Sequence, residues 1–366
     1  MVASLNKNNF WKGKTVLLTG HTGFKGSWLS MWLKKLGANL IGYSLQPSTE
    51  PNLFELIEVS EGMISIEGNI HNFESLKNIF KKYKPEIVIH MAAQSLVSYS
   101  YKFPVETYMT NVMGTVNLFE AVRQTGGVKV IVNVTSDKCY ENKERMAGYK
   151  EDEPMGGHDP YSSSKGCAEL VTSAYRRSFF SSSDFSKHNT AIASARAGNV
   201  IGGGDWAEDR LIPDIVRGVL AGQKIKIRNP KSMRPWQHVL EPLSGYLTLA
   251  EKLWVDGPKY SEAWNFGPDE KEDKPVSYIV ENFLKLWGDK AEWEIDKKEE
   301  NRFHEANYLK LDCSKAKTKL QWIPVWKTDT ALEKTAQWYK AFKEKDDLQK
   351  LTLSQINQYE QSYLKV

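Results

Sequence analysis

The sequence predicts an α/β fold: a Rossmann-type doubly wound parallel sheet with a smaller mixed α/β C-terminal substrate lobe. Three observations carry this. Apolar runs of strand length alternate with runs of helix length through the first 195 residues. The first such strand leads directly into a glycine-spaced turn and an apolar helix. A Tyr-x-x-x-Lys pair, Tyr161 and Lys165, opens another apolar helical run beyond the fifth strand.

Taken in order, the first strand is expected at 15–19. It delivers Gly20-His21-Thr22-Gly23-Phe24-Lys25-Gly26, with a helix following to about Leu36. Gly20 permits the tight turn, Gly23 lets a pyrophosphate approach the backbone, and Gly26 lets helix and strand pack closely. The free N–H groups and positive dipole end of that helix suit an anion. Gly20, Thr22, Gly23, Phe24, Lys25 and Gly26 are therefore candidate cofactor residues. The second strand, 39–44, ends in Tyr43-Ser44 with neither the acidic residue expected for an NAD ribose nor a nearby Arg for a 2′-phosphate. Ser44 is a candidate donor of one hydrogen bond to the ribose, and NAD versus NADP stays open at this site.

Strands follow at 63–67, 87–90 and 130–135, separated by helices at 73–83 and 108–125. Asn69 and Ile70 lie just past a strand end and are adenine-side candidates, although Asn69 serves equally well as a turn residue. Ala92, Ala93 and Gln94 follow the fourth strand, where small side chains let a flat cofactor lie across the strand ends. His90 reads as a buried strand-end histidine. The fifth strand brings Thr135, Ser136, Asp137 and Lys138 to its C-terminal end, where ligands bind in such sheets. On the next helix Tyr161 and Lys165 share a face. A neighbouring ammonium favours phenolate, which makes Tyr161 a candidate base toward an alcohol.

A strand at 190–195 closes the regular alternation. Residues 1–195 are mainly the cofactor domain and 196–345 mainly the substrate lobe, with the chain free to cross back between them. The stretch 346–366 reads as a peripheral helix or tail. Helices are expected at 211–220, 241–254, 276–287 and 328–342. Arg217, Arg228, Arg234, Trp236 and His238 offer guanidinium clamps and aromatic faces for a diphosphate and a base.

Composition narrows the function classes. Net charge is +4, from 49 basic and 45 acidic residues, too mild a balance to indicate a nucleic-acid or membrane partner. Cys139, Cys167 and Cys313 form neither a metal-ligand pattern nor a disulfide framework, so no metal is expected and a cytoplasmic location fits. No leader-like start and no membrane-length apolar run is present. Most of the twelve Trp are expected in packing, with a few free to line a sugar site.

The glycine turn, the Ser136 strand end and Tyr161-x-x-x-Lys165 together resemble the extended short-chain dehydrogenase/reductase family over residues 10–345. Three longer stretches narrow the likeness to its nucleotide-sugar 4,6-dehydratases: 135–140, Gly202-Gly203-Gly204-Asp205-Trp206 with its flanks, and Arg234-Pro235-Trp236-Gln237-His238. The resemblance implies bound NAD and a nucleotide-sugar substrate held in part by Ser95 and Asn199. It also implies a homodimer, or a tetramer, in which helices of the 108–125 and 161–180 regions pack against their symmetry mates. Leu118, Val122, Leu170 and Ala174 are available for that face or for the sheet.

Asp137-Lys138 departs from the Asp-Glu of the dTDP-glucose and GDP-mannose dehydratases and fits a branch acting on CDP-glucose. The implied reaction is an internal oxidation, elimination of water and reduction, giving CDP-4-keto-6-deoxyglucose for 3,6-dideoxyhexoses of bacterial surface polysaccharide such as O-antigen. In it Tyr161, Ser136 and Lys165 serve the oxidation at C4, Asp137 is the acid at O6, and Lys138 stands where the C5 base belongs. A 4-epimerase needs no such pair at C5 and C6. A non-catalytic NAD-binding protein need not keep Ser136, Tyr161 and Lys165 together.

Overall fold

A computed structural model describes residues 9–269, 272–288, 291–296 and 308–365; the outermost residues of the expected domains, 1–8 and 366, lie outside the described residues. Seven parallel strands form the central sheet: β1 Thr15–Thr19, β2 Asn39–Ser44, β3 Ile64–Glu67, β4 Ile87–His90, β5 Val130–Val134, β6 Ala191–Arg196 and β7 Ala263–Asn265. Their spatial order is β7-β6-β5-β4-β1-β2-β3. The order reverses between β1 and β4, and the crevice at such a switch point is where ligands bind.

The long helices are α1 Phe24–Lys35, α2 Phe73–Tyr83, α3 Gly114–Thr125, α4 Pro160–Ser178, α5 Leu211–Leu220, α6 Leu240–Val255, α7 Val276–Trp287, α8 Thr328–Glu344 and α9 Leu348–Tyr363. Period-two alternation along the strands feeds two cores. Leu17, Val88 and Ile131 join Leu76, Phe80, Leu118 and Val122 on the α2–α3 side. Val16, Leu18, Ile89 and Val132 join Trp28, Leu243 and Leu247 on the α1–α6 side. Leu118 and Val122 are thus core residues, whereas Leu170 and Ala174 are exposed.

After residues 200–238, α6 packs on β5 and β6, and β7 extends the sheet beside β6. The C-terminal stretch forms the helix α9, whose Tyr359 hydroxyl donates to Glu241 Oε2 at 2.7 Å and whose Glu360 accepts from Trp32 Nε1 at 2.8 Å. Tyr359 and Ile356 are fully buried. The polar composition of the segment reflects its outer face; the inner face is an apolar stripe too short to stand out.

The helix expected at 108–125 is interrupted by a π turn, Met109–Met113. The turn carries the buried Asn111, which donates to Gln94 O at 2.9 Å and to Ser164 Oγ at 2.8 Å. Such wide turns re-aim a side chain at functional positions.

Candidate active site

One cavity of about 820 Å³ runs along the carboxyl edge of the sheet from the glycine turn to the segments 226–236. At one end Gly20 sits at φ +76°, and a Cβ on Gly26 would stand 2.0 Å from Gly20 O. α1 begins there with Gly23 as N-cap, no side-chain cap and no acidic residue in its first turn. Its free N–H groups open into the cavity beside Thr22, Phe24, Lys25, Ser44, Asn69, Ile70, Ala92, Ala93 and Thr135. Ser44 Oγ pairs with Thr22 Oγ1 at 2.9 Å, and Asn69 Oδ1 accepts the His71 N–H as a turn residue does. Gln94 is not among the lining residues. Its side chain bonds Thr107 and the Leu96 N–H, so it braces the loop that holds Ala92 and Ala93.

Midway along the cavity, β5 and α4 bring Ser136, Asp137, Lys138, Tyr161 and Lys165 together. α4 is capped by Asp159, which accepts the Ser162 N–H, with Pro160 in the first turn. That fixes the helix start and with it the inward aim of Tyr161. Ser136 lies beside the Tyr161 phenol and donates to Asp137 Oδ1 at 3.0 Å. Asp137 is buried, and its Oδ2 has no hydrogen-bond partner. Gly198 makes room for it, since a Cβ there would lie 1.8 Å from Oδ2. A buried carboxyl oxygen without a protein partner is costly, and on the cavity lining it is available to a bound group.

The electrostatics differ from the sequence expectation at one point. Burial pushes the Tyr161 phenol up to about 12, against the lowering effect of the Ser136 hydrogen bond and the Arg210 cation. Burial likewise brings the Lys165 ammonium down to about 8. Lys165 Nζ lies 6.0 Å from the centre of the Tyr161 ring. Both groups are enclosed, so desolvation is the largest influence on each. His90 is a buried strand-end residue, its Nδ1 2.6 Å from Thr19 Oγ1 and its pKa brought down by burial to about 3.

At the far end Ser95, Asn199, Arg228, Arg234 and Trp236 line the cavity. Trp206 and Trp236 are the two tryptophans that do so among the described residues. Arg217 and His238 are not lining residues. Arg217 pairs with Asp214 and donates to Trp206 O at 2.8 Å, bracing a loop. His238 is fully buried, edge-on to Trp28 at 5.7 Å and 4.9 Å from Trp326; burial lowers its pKa to about 3, so it is a neutral core ring.

Sequence reasoning missed Arg210. Its guanidinium pairs with Asp205 at 2.9 Å and donates to Ser95 Oγ at 2.9 Å, spanning the cavity between the β4 loop and the Gly-Gly-Asp-Trp loop. Despite burial, Asp205 keeps it charged. It faces Lys25, whose ammonium is brought down to about 7 by burial and then by Arg210 and Lys165. The available signal was its place four residues beyond Trp206, at the N-cap of α5.

A seven-stranded parallel sheet with a glycine turn at one end of its crevice and a Ser-Tyr-Lys set at the middle defines an extended short-chain dehydrogenase/reductase. The chain belongs to the GDP-mannose 4,6 dehydratase family, whose profile matches residues 17–335. It is 55% identical over 351 residues to a CDP-glucose 4,6-dehydratase of Salmonella typhimurium strain LT2, covering 96% of this chain and 97% of that protein. In structure it is similar to the dTDP-glucose 4,6-dehydratase of Bacillus anthracis solved with NAD (TM-score 0.73, 23% identity, 91% of this chain and 98% of that one). An epimerase of Methanothermobacter thermautotrophicus superposes with TM-score 0.78 at 23% identity, over 92% of this chain and 95% of that one.

Proposed function

We propose that the protein is a CDP-glucose 4,6-dehydratase that converts CDP-glucose to CDP-4-keto-6-deoxyglucose and water. The observation that carries the reading is the buried, unpartnered Asp137 oxygen one residue from Ser136 and beside Tyr161. An acid is needed there to expel a hydroxyl, and a simple epimerisation gives it nothing to do. The likeness to the Salmonella enzyme supplies the nucleotide.

The crevice fits NAD. The close Gly20–Gly26 approach, the uncapped start of α1 and the small Ala92 and Ala93 leave space for a pyrophosphate and a flat ring. NAD bound there supplies the redox couple that takes hydrogen from C4 of the sugar and returns it at C6. The side chains handle the protons. Tyr161 accepts the proton of the 4-hydroxyl, Ser136 holds the same oxygen, and Lys165 provides positive charge beside the phenolate. Once C4 is a ketone the C5 proton is acidic; Lys138, as the neutral amine, is the proposed base that removes it, and a proton returns to C5 when hydrogen reaches C6. Asp137 donates to the departing 6-hydroxyl. Arg228, Arg234 and Trp236 take the diphosphate and the base.

Incubation with CDP-glucose deuterated at C4 tests the internal transfer: the label is expected at C6 of the product. Product free of the label would show that hydrogen comes from elsewhere and would overturn the scheme. Gly26→Ala is expected to weaken NAD binding by about tenfold or more, because the new methyl overlaps Gly20 O and pushes the phosphate turn outward; fluorescence titration with NAD checks it. Arg210→Gln removes a cation that favours the Tyr161 phenolate. The acidic limb of the kcat profile is expected to move to higher pH, with kcat near neutrality down about tenfold, since one pKa unit is a factor of ten.

The enzyme is further proposed to act in the cytoplasm as a homodimer, on a route to bacterial surface sugars. The exposed apolar residues Val105, Met109, Met113 and Leu170 lie on neighbouring helical segments and suit a symmetry mate.

A further inference from the structure

Outside the cavity, directly beneath the reaction centre, Glu169 and Arg196 form an ion pair at 2.8 Å with 4% side-chain exposure on each. Glu169 lies on α4 one turn beyond Lys165 and two beyond Tyr161. Its Oε1 accepts the Thr135 hydroxyl at 2.5 Å and its Oε2 the Ser194 hydroxyl at 2.7 Å. Arg196 donates in turn to the Tyr140 hydroxyl at 2.6 Å and to Glu151 O at 3.1 Å, and Tyr140 donates to Asn265 Oδ1 at 2.8 Å. The catalytic helix, the end of β5, β6, β7 and the loop after Cys139 are thereby joined at one carboxylate. Thr135 is the residue immediately before Ser136 and Asp137. Well-packed apolar groups would hold such a joint as firmly as a buried ion pair does. Stability alone therefore does not explain a charge here.

Lys165 shows what the charge does. The titratable groups that face it are Lys25 from the glycine turn, His90 from β4, Cys139 from the turn after β5, and Tyr161 and Glu169 from its own helix. Burial keeps the imidazole of His90, the thiol of Cys139 and the phenol of Tyr161 uncharged. Lys25 repels. Burial also works against the charge on Glu169, but Arg196 and the Thr135 and Ser194 hydroxyls outweigh it and hold the carboxyl below its usual range. Asp137, on the same turn as Cys139, acts on Lys25 and Tyr161, and Glu169 is the carboxylate that acts on Lys165.

We propose that Glu169, anchored by Arg196, is a positioning residue of the reaction centre: it fixes the Tyr161–Lys165 turn against the Ser136–Asp137 strand end and supplies the fixed negative charge that keeps Lys165 an ammonium ion. The consequence for turnover rests on the dehydratase reading; the state of Lys165 does not.

The test compares the wild type, Glu169→Gln and the double variant Glu169→Gln/Arg196→Met, which removes both charges and leaves neither partner stranded. Circular dichroism identifies the folded variants. Reductive methylation of Lys165 is followed against pH by peptide mass spectrometry, which needs no substrate, and kcat is followed over the same range with CDP-glucose. In the double variant the labelling midpoint is expected to fall by about one pH unit, and turnover on the alkaline side to fall about tenfold relative to turnover at mildly acidic pH. Should the double variant not fold, Glu169→Gln alone gives the same comparison. A folded variant whose labelling midpoint stays put, with turnover lost equally at every pH, would reduce Glu169 to a structural brace and overturn the proposal. A shifted midpoint in a protein that makes no keto sugar from CDP-glucose would leave the role of Glu169 standing and remove the substrate.

Discussion

Tyr161→Phe lowers kcat by about 10²–10⁴-fold while CDP-glucose still binds, the range expected when a positioned proton acceptor is lost. The phenol lies beside Ser136 on the cavity wall, and phenylalanine keeps the ring while deleting that oxygen. Stopped-flow absorbance with NAD and CDP-glucose is expected to show no reduced nicotinamide in the variant. Near-normal turnover would remove Tyr161 as the base. The free phenol sits at about 12, so the catalytic form must be generated in the complex, where the cationic nicotinamide, Lys165 and Arg210 add positive charge. On the alkaline side the sign is set by Lys165. Its ammonium, at about 8, is lost as pH rises through that value, and kcat is expected to fall there.

Asp137→Asn has the second large effect, again about 10²–10⁴-fold on product formation, but at a different step. Asparagine fills the same space next to Gly198 and cannot give up a proton to the 6-hydroxyl. Oxidation at C4 therefore proceeds and elimination stalls, so reduced cofactor is expected to accumulate where Tyr161→Phe shows none. Equal rates of product release in variant and wild type would assign the acid elsewhere. Taken as a pair, the two variants separate proton removal at O4 from proton delivery at O6.

What the sequence made legible follows from how local each signal is. Strands β1 to β6 are short aliphatic runs whose neighbours in the sheet are mostly neighbours in sequence, and the glycine turn and the Tyr161–Lys165 pair are each contained within a few residues. Arg210 acts through Ser95, more than a hundred residues away, and no local pattern announces that meeting. His238 and Arg217 carried site-like chemistry but face a tryptophan cluster and a loop, a matter of side-chain direction that composition does not encode. The π turn at Met109–Met113 depends on Asn111 reaching Gln94 and Ser164, contacts made only after the helices have packed. The docking of α9 likewise depends on Glu241 and Trp32, both distant in sequence.

The central claim is the conversion of CDP-glucose. The purified protein is incubated with NAD and CDP-glucose, with dTDP-glucose, UDP-glucose and GDP-mannose in parallel. Product is read by the alkali-induced chromophore of a 4-keto-6-deoxy sugar and by the loss of water in the mass spectrum. The account predicts both signals with CDP-glucose and at most traces with the others. A signal with another nucleotide would contradict the substrate while sparing the roles of Tyr161 and Asp137. No loss of water from any of the four would contradict the dehydratase reading itself.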